Sequence, residues 1–141
     1  MKITSPTATK EVTRNWHLID VKNEILGRSS TKIAGLLMGK SKTYFAKNID
    51  CGDYVVVINA ETVKVSGKKE KDKIYDTYSG YPGGRKVLRL EEVRARKPEN
   101  IIRIAVSGML PKNRLRAKML ERLYVYKNEV HPYGSKLNKG E

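Results

Sequence analysis

Cysteine is almost absent from this chain: Cys51 is the only one among 141 residues. An intrachain disulfide and a zinc site built from cysteines are therefore both impossible, and a reducing compartment is favoured. Apolar runs are short as well, and none approaches the roughly 18 residues that a membrane-spanning helix needs. The leader MKITSPTATKEVTRN lacks the apolar centre of a secretory signal, although its basic, hydroxyl-rich composition also fits the remnant of an organellar transit sequence. We expect an intracellular protein with no membrane partner.

Acidic residues are scarce. Asp and Glu number 15 against 29 Lys and Arg, so the formal net charge is +14. The excess is spread along the chain and forms no single basic tail, which predicts that folded surfaces carry it. A compact domain with this much like charge repels itself, so the composition indicates a lasting polyanionic partner.

Phosphate-binding loops of nucleotide enzymes are missing too. The segment KNEILGRSS contains one glycine where a dinucleotide-binding turn would need three, and SGKKEK has no upstream glycine and no helix start. We therefore predict no cofactor and no small-molecule substrate. A nucleotide-using enzyme stays as the alternative from another class, and a free regulator of messenger RNA as the alternative among binding proteins.

Candidate catalytic and metal-binding groups are isolated. His17 lies in an apolar strand and His131 in a loop, far apart in the sequence. Asp50 and Asp53 flank the entrance to a predicted strand, where turn formation is the simpler role, and a nucleophilic Cys51 would need a base that the sequence does not place. We predict a protein that is not an enzyme and holds no metal.

The first half of the chain predicts a βαβ unit. WHLIDV, from Trp16, is a strand; RSSTKIAGLLMGK is a helix capped at Ser29 or Ser30 and ending at Gly39. YVVVINA, from Tyr54, has no polar alternation, which is typical of a strand in a parallel sheet covered on both faces. The prediction is an α/β fold, a small three-layer α/β/α sandwich with a mainly parallel sheet.

The next two predicted features lie outside the sheet. Val63 and Val65 are predicted to pair with Ile74 and Tyr75 in a projecting β-ribbon, with the charged tip between them either a solvated turn or a phosphate-contacting finger. YPGG is predicted to form a type II turn, either a plain turn or a close approach to a partner. Two helices should come next, LRLEEVRARK and PENIIRIAVSG, the second packing through the stripe Ile101, Ile104, Ala105 and Gly108.

The stretch GMLPKNRLRAKMLERLYVY, from Gly108 to Tyr126, combines apolar residues with basic residues. A helix is predicted from near Lys112, with one apolar face and one basic face on which cations alternate without an acid. A short strand follows at Tyr124. One side of this helix suits the protein core and the other a polyanion.

This stretch closely resembles the signature of the bacterial and organellar form of large ribosomal subunit protein thirteen. The resemblance extends to WHLIDVKNEILGRSSTKIAGLLMGK, to CGDYVVVINAETVKVSGKK and to YSGYPGG, in the family's order and spacing. It implies the same α/β/α sandwich, docking on large-subunit ribosomal RNA beside neighbouring ribosomal proteins, and a non-catalytic role in early subunit assembly.

The resemblance also implies which residues contact RNA. The principal ones are Lys112, Asn113, Arg114, Arg116 and Lys118, joined by Arg122 unless it pairs with acids of its own surface. Secondary ones are Lys68 and Lys69, the turn residues Tyr81, Gly83, Gly84 and Arg85, and Lys40 with Lys42, which could instead complement the dipole of the preceding helix.

We expect one RNA-binding domain over residues 15–126, with residues 1–14 an extended tail and residues 127–141 an irregular one. The expected location is the cytoplasmic ribosome, and the residues fit an organellar ribosome as well.

Overall fold

The computed structural model describes residues 6–138, and within them the chain forms five β-strands and six α-helices. In chain order they are β1 (Trp16–Asp20), α1 (Leu26–Met38), β2 (Tyr54–Ile58), α2 (Lys69–Asp72), β3 (Ile74–Tyr78), β4 (Arg85–Arg89), α3 (Leu90–Arg96), α4 (Glu99–Met109), α5 (Leu115–Glu121), β5 (Leu123–Val125) and α6 (Gly134–Leu137). Single turns of 3₁₀-helix lie at Thr9–Glu11 and Ala60–Thr62.

A three-stranded parallel sheet, in the order β1-β2-β5, forms the centre of the molecule. The middle strand is the apolar run YVVVI, and Val55, Val56 and Val57 are completely buried. A central parallel strand loses water on both faces, which explains why its sequence does not alternate. The predicted α/β fold with a mainly parallel sheet is confirmed.

One face of the sheet carries the main core. Helices α1 and α4 pack against each other and against β2 and β5 through fully buried side chains such as Ile33, Leu37 and Ile101. Helix α1 ends as predicted at Gly39, whose φ of +77° belongs to the left-handed region that glycine adopts without strain.

The predicted start of α1 was wrong. The helix begins at Leu26, and Ser29 and Ser30 are buried inside it. Neither serine is needed as a cap, because the Leu26 amide donates to the Lys64 carbonyl oxygen at 2.8 Å. A neighbouring segment therefore satisfies an amide that a capping side chain would otherwise bind.

The projecting ribbon exists and Ile74 and Tyr75 lie in one of its strands, but the predicted pairing with Val63 and Val65 was wrong. Strands β3 and β4 pair antiparallel, with Ile74 opposite Arg89 and Tyr78 opposite Arg85. The YPGG turn therefore forms the ribbon's tip, and the charged segment from Lys68 to Lys73 folds into the short helix α2 at its base. Gly83 has a φ of +72°, as the second central residue of a type II turn requires.

Two details of the later helices also differ from the prediction. Helix α4 buries Ile101, Ile102 and Val106, while Ile104 remains 47% exposed. Helix α5 starts at Leu115, not near Lys112, so part of the predicted basic helix is a loop.

The second face of the sheet is covered by the C-terminal segment. Tyr133 stacks on Trp16, with ring centroids 5.1 Å apart, and Trp16 stacks on Tyr54 at 4.4 Å. The ammonium of Lys136 in α6 lies 4.8 Å from the centre of the Trp16 ring. The segment 127–138, predicted as an irregular tail, contains one short helix, α6, and its aromatic residues cover this face of the sheet.

The N-terminal segment also contacts the domain. The Thr7 hydroxyl donates to the Tyr44 carbonyl oxygen at 3.0 Å, and the Arg14 guanidinium donates to the carbonyl oxygens of Gly52 and Asp50. Residues 1–5 and 139–141, which belong to the predicted tails, lie outside the described residues.

Candidate nucleic-acid interface

The loop between α4 and α5 carries three of the residues predicted to be principal RNA contacts: Lys112, Asn113 and Arg114. Leu110, only 2% exposed, anchors its start in the core. Asn113 shapes the rest, because its side-chain oxygen accepts the Leu115 amide at 3.1 Å and its backbone amide donates to the Pro111 carbonyl oxygen at 3.0 Å. This fixed loop leaves Lys112 and Arg114 exposed to solvent.

Helix α5 separates its apolar and basic residues. Met119 is buried in the core, whereas Lys118 is exposed and Arg116 is half-buried. Within residues 6–138, the four cations of this region pair with no acidic side chain; they are Lys112, Arg114, Arg116 and Lys118. Crowded cations without internal counterions form a surface suited to phosphate groups.

Lys40 lies beside this loop. A mostly apolar pocket of about 280 Å³ is bordered by Lys40 and Lys47 from the segment after α1 and by Asn113 from the α4–α5 loop. Its walls include Phe45 and Met119. The fold therefore brings together two predicted site residues that are distant in the sequence.

The pocket opens onto a longer groove along α1 and α4. A shallow depression that includes Thr31, Lys40 and Met109 joins it to a cleft of about 590 Å³ near the start of α1. Lys69 lines that cleft, as do Arg28 and Lys73. The three depressions share lining residues, and cations line the two outer ones.

The ribbon tip forms a separate part of the candidate interface. Tyr81 is 75% exposed there, and Arg85 pairs with Asp76 at 2.7 Å on the ribbon itself. Gly84 has no room for a side chain, because a Cβ would collide with the Ser79 hydroxyl. The three connected depressions between α1 and α4 include no residue of the YPGG turn.

Arg122 faces the interior and pairs with an acidic side chain, which is the alternative to RNA contact that the sequence left open. It is 7% exposed, and both terminal nitrogens bind the Asp50 carboxylate. One of them also donates to the Leu37 carbonyl oxygen at 3.2 Å, and Nε donates to that of Asp53 at 3.4 Å. Its donors are used inside the protein, so we remove Arg122 from the candidate interface.

Lys42 is also an internal residue. Its side chain is 9% exposed, its ammonium lies 2.6 Å from the Asp53 carboxylate, and it donates to the Thr13 carbonyl oxygen. Burial raises the pKa of Asp53, but hydrogen bonds from Lys42, from His17 and from the Asn15 amide outweigh it and hold the pKa below its usual value. A buried lysine paired in this way cannot also bind an RNA phosphate, so Lys42 leaves the candidate interface as well.

Comparison with known families identifies the chain's relatives. The family model described as ribosomal protein L13 matches residues 14–132. The chain belongs to the ribosomal protein L13 family. The non-enzymatic character predicted from the sequence agrees with this family of ribosomal proteins.

Relatives from distant bacteria support the L13 assignment over nearly the whole chain. Large ribosomal subunit protein uL13 of Symbiobacterium thermophilum is 44% identical over 126 residues, covering 89% of this chain and 88% of that protein. The uL13 protein of Azotobacter vinelandii is 49% identical over 122 residues, 86% of each chain. That of Helicobacter hepaticus is 45% identical over 139 residues, covering 99% of this chain and 98% of the other.

For this L13-family chain, sequence reasoning missed three cations of the groove: Arg28, Lys47 and Lys73. The predicted cap at Ser29 or Ser30 put Arg28 just before the helix, whereas it belongs to the first turn of α1. Lys73 was assigned to a hairpin bend. No short-range pattern marks Lys47, which joins the site only through tertiary packing.

No helix among residues 6–138 is long and apolar enough to cross a membrane. The same residues contain no group of three or more His, Cys, Asp or Glu side chains that could hold a metal ion.

Proposed function

We propose that this chain is a structural constituent of the large subunit of a cytoplasmic bacterial ribosome, where it binds large-subunit ribosomal RNA and supports early subunit assembly. The observation that carries the proposal is the group of cations on the α4–α5 loop and α5 that pair with no acidic side chain of residues 6–138, in a chain of the ribosomal protein L13 family. Its relatives are named large ribosomal subunit proteins, which supports the proposal.

Binding works by neutralising phosphates. Lys112, Arg114, Arg116 and Lys118 replace the counterions of RNA segments and let those segments approach one another. Lys40, Lys68 and Lys69 extend this surface, and the exposed ring of Tyr81 offers a stacking platform at the ribbon tip. With about six to ten phosphate contacts, affinity should fall at least ~1,000-fold between low and moderate salt.

Neighbouring ribosomal proteins are the second class of partner. Val130 is 85% exposed and Leu18 is 47% exposed, both on or near the sheet face that the C-terminal segment covers. Apolar side chains at these positions suit contact with another protein more than contact with RNA phosphates.

The test exchanges charge on the interface. In the variant Arg114→Glu with Arg116→Glu, we expect the fold to persist, because neither arginine pairs with an acidic side chain of residues 6–138, and stable incorporation into the large subunit to be lost. Sedimentation of cell extracts, with the protein tracked across the gradient, measures incorporation. The matched control is Lys22→Glu with Lys97→Glu, which changes the net charge equally at two exposed positions away from the interface.

Normal incorporation of the folded double arginine variant would contradict the proposed interface. Wild-type protein that remains at the top of the gradient, apart from the large subunit, would contradict the proposed function itself.

A further inference from the structure

The pocket beside the α4–α5 loop has features that phosphate binding alone does not need. Its walls include Phe45, the only phenylalanine of the chain, together with Met38, Ile49 and Met119. Phe45, Met38 and Ile49 are half-buried, so an apolar surface remains open to solvent inside a highly charged region. Apolar walls lose nothing when water leaves them, and they therefore suit a flat, uncharged group.

Size narrows the choice of ligand. The pocket holds about 280 Å³, close to the lower limit of roughly 300 Å³ for small-molecule sites. A group of one or two fused rings fits such a space better than an extended ligand. The ring of Phe45 and the thioethers of the two methionines are groups on which an aromatic ring packs well.

Asn113 supplies a polar group of defined orientation at the edge of the pocket. Its side-chain oxygen accepts the amide of Leu115, so the NH₂ group of the same side chain remains for an outside acceptor. A carbonyl oxygen or ring nitrogen on the edge of a nucleobase is such an acceptor.

Two cations complete the arrangement. Lys40 and Lys47 border the apolar walls, are exposed, and pair with no acidic side chain of residues 6–138. Lys112 and Arg114 lie next to Asn113 in the sequence. A ligand with a flat, uncharged aromatic ring and flanking negative charges matches this layout, and an unstacked nucleotide of an RNA strand has both.

We propose that this pocket receives one unpaired, unstacked base of the bound RNA, with Phe45 against its face, the Asn113 NH₂ on its edge and Lys40 and Lys47 on the adjoining phosphates. The inference rests on the proposed RNA-binding function and adds a base-binding site to it.

The experiment uses the full chain with ¹³C-labelled methionine methyl groups, observed by NMR. The probe is a random-sequence single-stranded RNA of about ten nucleotides, within the range that such strands occupy on small domains. An abasic ribose-phosphate strand of the same length and charge is the matched ligand. Met38 and Met119 report on the pocket, and Met109, which lines the groove but not the pocket, is the internal control.

We expect the RNA, and not the abasic strand, to shift the methyl signals of Met38 and Met119 through the ring current of the base. In Phe45→Leu, which keeps an apolar wall, affinity for the RNA should fall about tenfold, and affinity for the abasic strand should not change. Asn113→Ser, which keeps an oxygen for the Leu115 amide, should weaken RNA binding in the same selective way. The methyl spectrum of each free variant shows whether it is folded.

Equal shifts with both strands would overturn the base pocket and leave a phosphate-binding surface. Shifts confined to Met109 would place the RNA elsewhere in the groove and would also overturn it. If the wild-type chain binds neither strand nor transcribed large-subunit ribosomal RNA, the proposed function fails, an outcome that the other two do not produce.

Discussion

Arg122 offers the sharpest test of how this protein is held together. Its guanidinium connects three parts of the chain: the carboxylate of Asp50 before β2, the carbonyl oxygen of Leu37 in α1 and that of Lys118 in α5. The side chain of Asp50 is only 11% exposed, and its one other cation, Arg14, lies 3.6 Å away. Replacing Arg122 with methionine leaves the nearly buried Asp50 carboxylate with only the more distant Arg14, and it removes the donor of three carbonyl oxygens, those of Leu37, Asp53 and Lys118.

Breaking one side of a buried ion pair costs about 3–5 kcal/mol, because the remaining charge stays desolvated. The free energy of unfolding of a domain this size is about 5–15 kcal/mol, so the loss is a large fraction of the total. With a urea dependence of about 1.5 kcal/mol per molar, the unfolding midpoint should fall by roughly 2–3 M. Changing Asp50 to asparagine in the same chain should recover part of the loss, because the nearly buried carboxylate charge is then removed.

Urea unfolding followed by the fluorescence of Trp16, the only tryptophan, measures these free energies without RNA. The matched control is Arg114→Met, which removes an exposed arginine and should change the free energy of unfolding by less than about 0.5 kcal/mol. If Arg122→Met costs less than about 1 kcal/mol, the guanidinium is solvated and the buried-pair argument is wrong.

Three further changes probe the same architecture by the same unfolding measurement. Gly52→Ala should cost at least about 1–3 kcal/mol, since a Cβ there would collide with a backbone carbonyl of α1; an unchanged midpoint would mean that this contact relaxes freely. Folding lowers the pKa of Asp53, so the contribution of this residue to the free energy of unfolding is complete above the unfolded pKa of about 3.9 and is lost as pH falls through the folded pKa. Asp53→Asn should therefore flatten the dependence of this free energy on pH in acid. A wild-type dependence equally steep in the variant would assign the effect to other carboxylates. Tyr133→Ala should lower stability by about 1–3 kcal/mol and shift the Trp16 emission to the red, whereas a mobile C-terminal segment would leave both unchanged.

The sequence predicted the elements whose signals are local. The unbroken run of β2 and the glycine after Met38 specified a parallel strand and a helix end, and both are present. The serines at positions 29 and 30 misled, because the amide of Leu26 is satisfied by Lys64, a partner 38 positions away. The ribbon was misplaced for a related reason: alternation shows that a segment is a strand, but not which other strand it joins.

The residues of the candidate site show the same difference between local sequence signals and tertiary contacts. Residues on the α4–α5 loop and α5 were predicted from a basic pattern beside an apolar one, and the structure leaves them exposed or half-exposed with no acidic partner among residues 6–138. Arg122 belongs to the same pattern and differs only in that the fold delivers Asp50 to it from 72 positions away. A charge pattern therefore identifies a basic segment, and only tertiary structure decides which of its cations have internal partners.

The internal cations hold in place the segments that carry the exposed cations. Arg122 and Lys42 bind Asp50 and Asp53, at the end of the segment that carries Phe45 and Lys47. Arg122 thereby fixes the end of α1, that segment and α5 relative to one another, and these are the parts that surround the pocket next to Asn113. If the proposed interface binds RNA, Arg122→Met should consequently weaken that binding as well as folding, although Arg122 itself is buried. The loss of RNA affinity should be smaller in the double variant Arg122→Met with Asp50→Asn, because stability recovers there. If Arg122 contacted a phosphate directly, the affinity would stay lost in the double variant. Binding of ribosomal RNA by the single and double variants, measured where both are folded, separates these mechanisms.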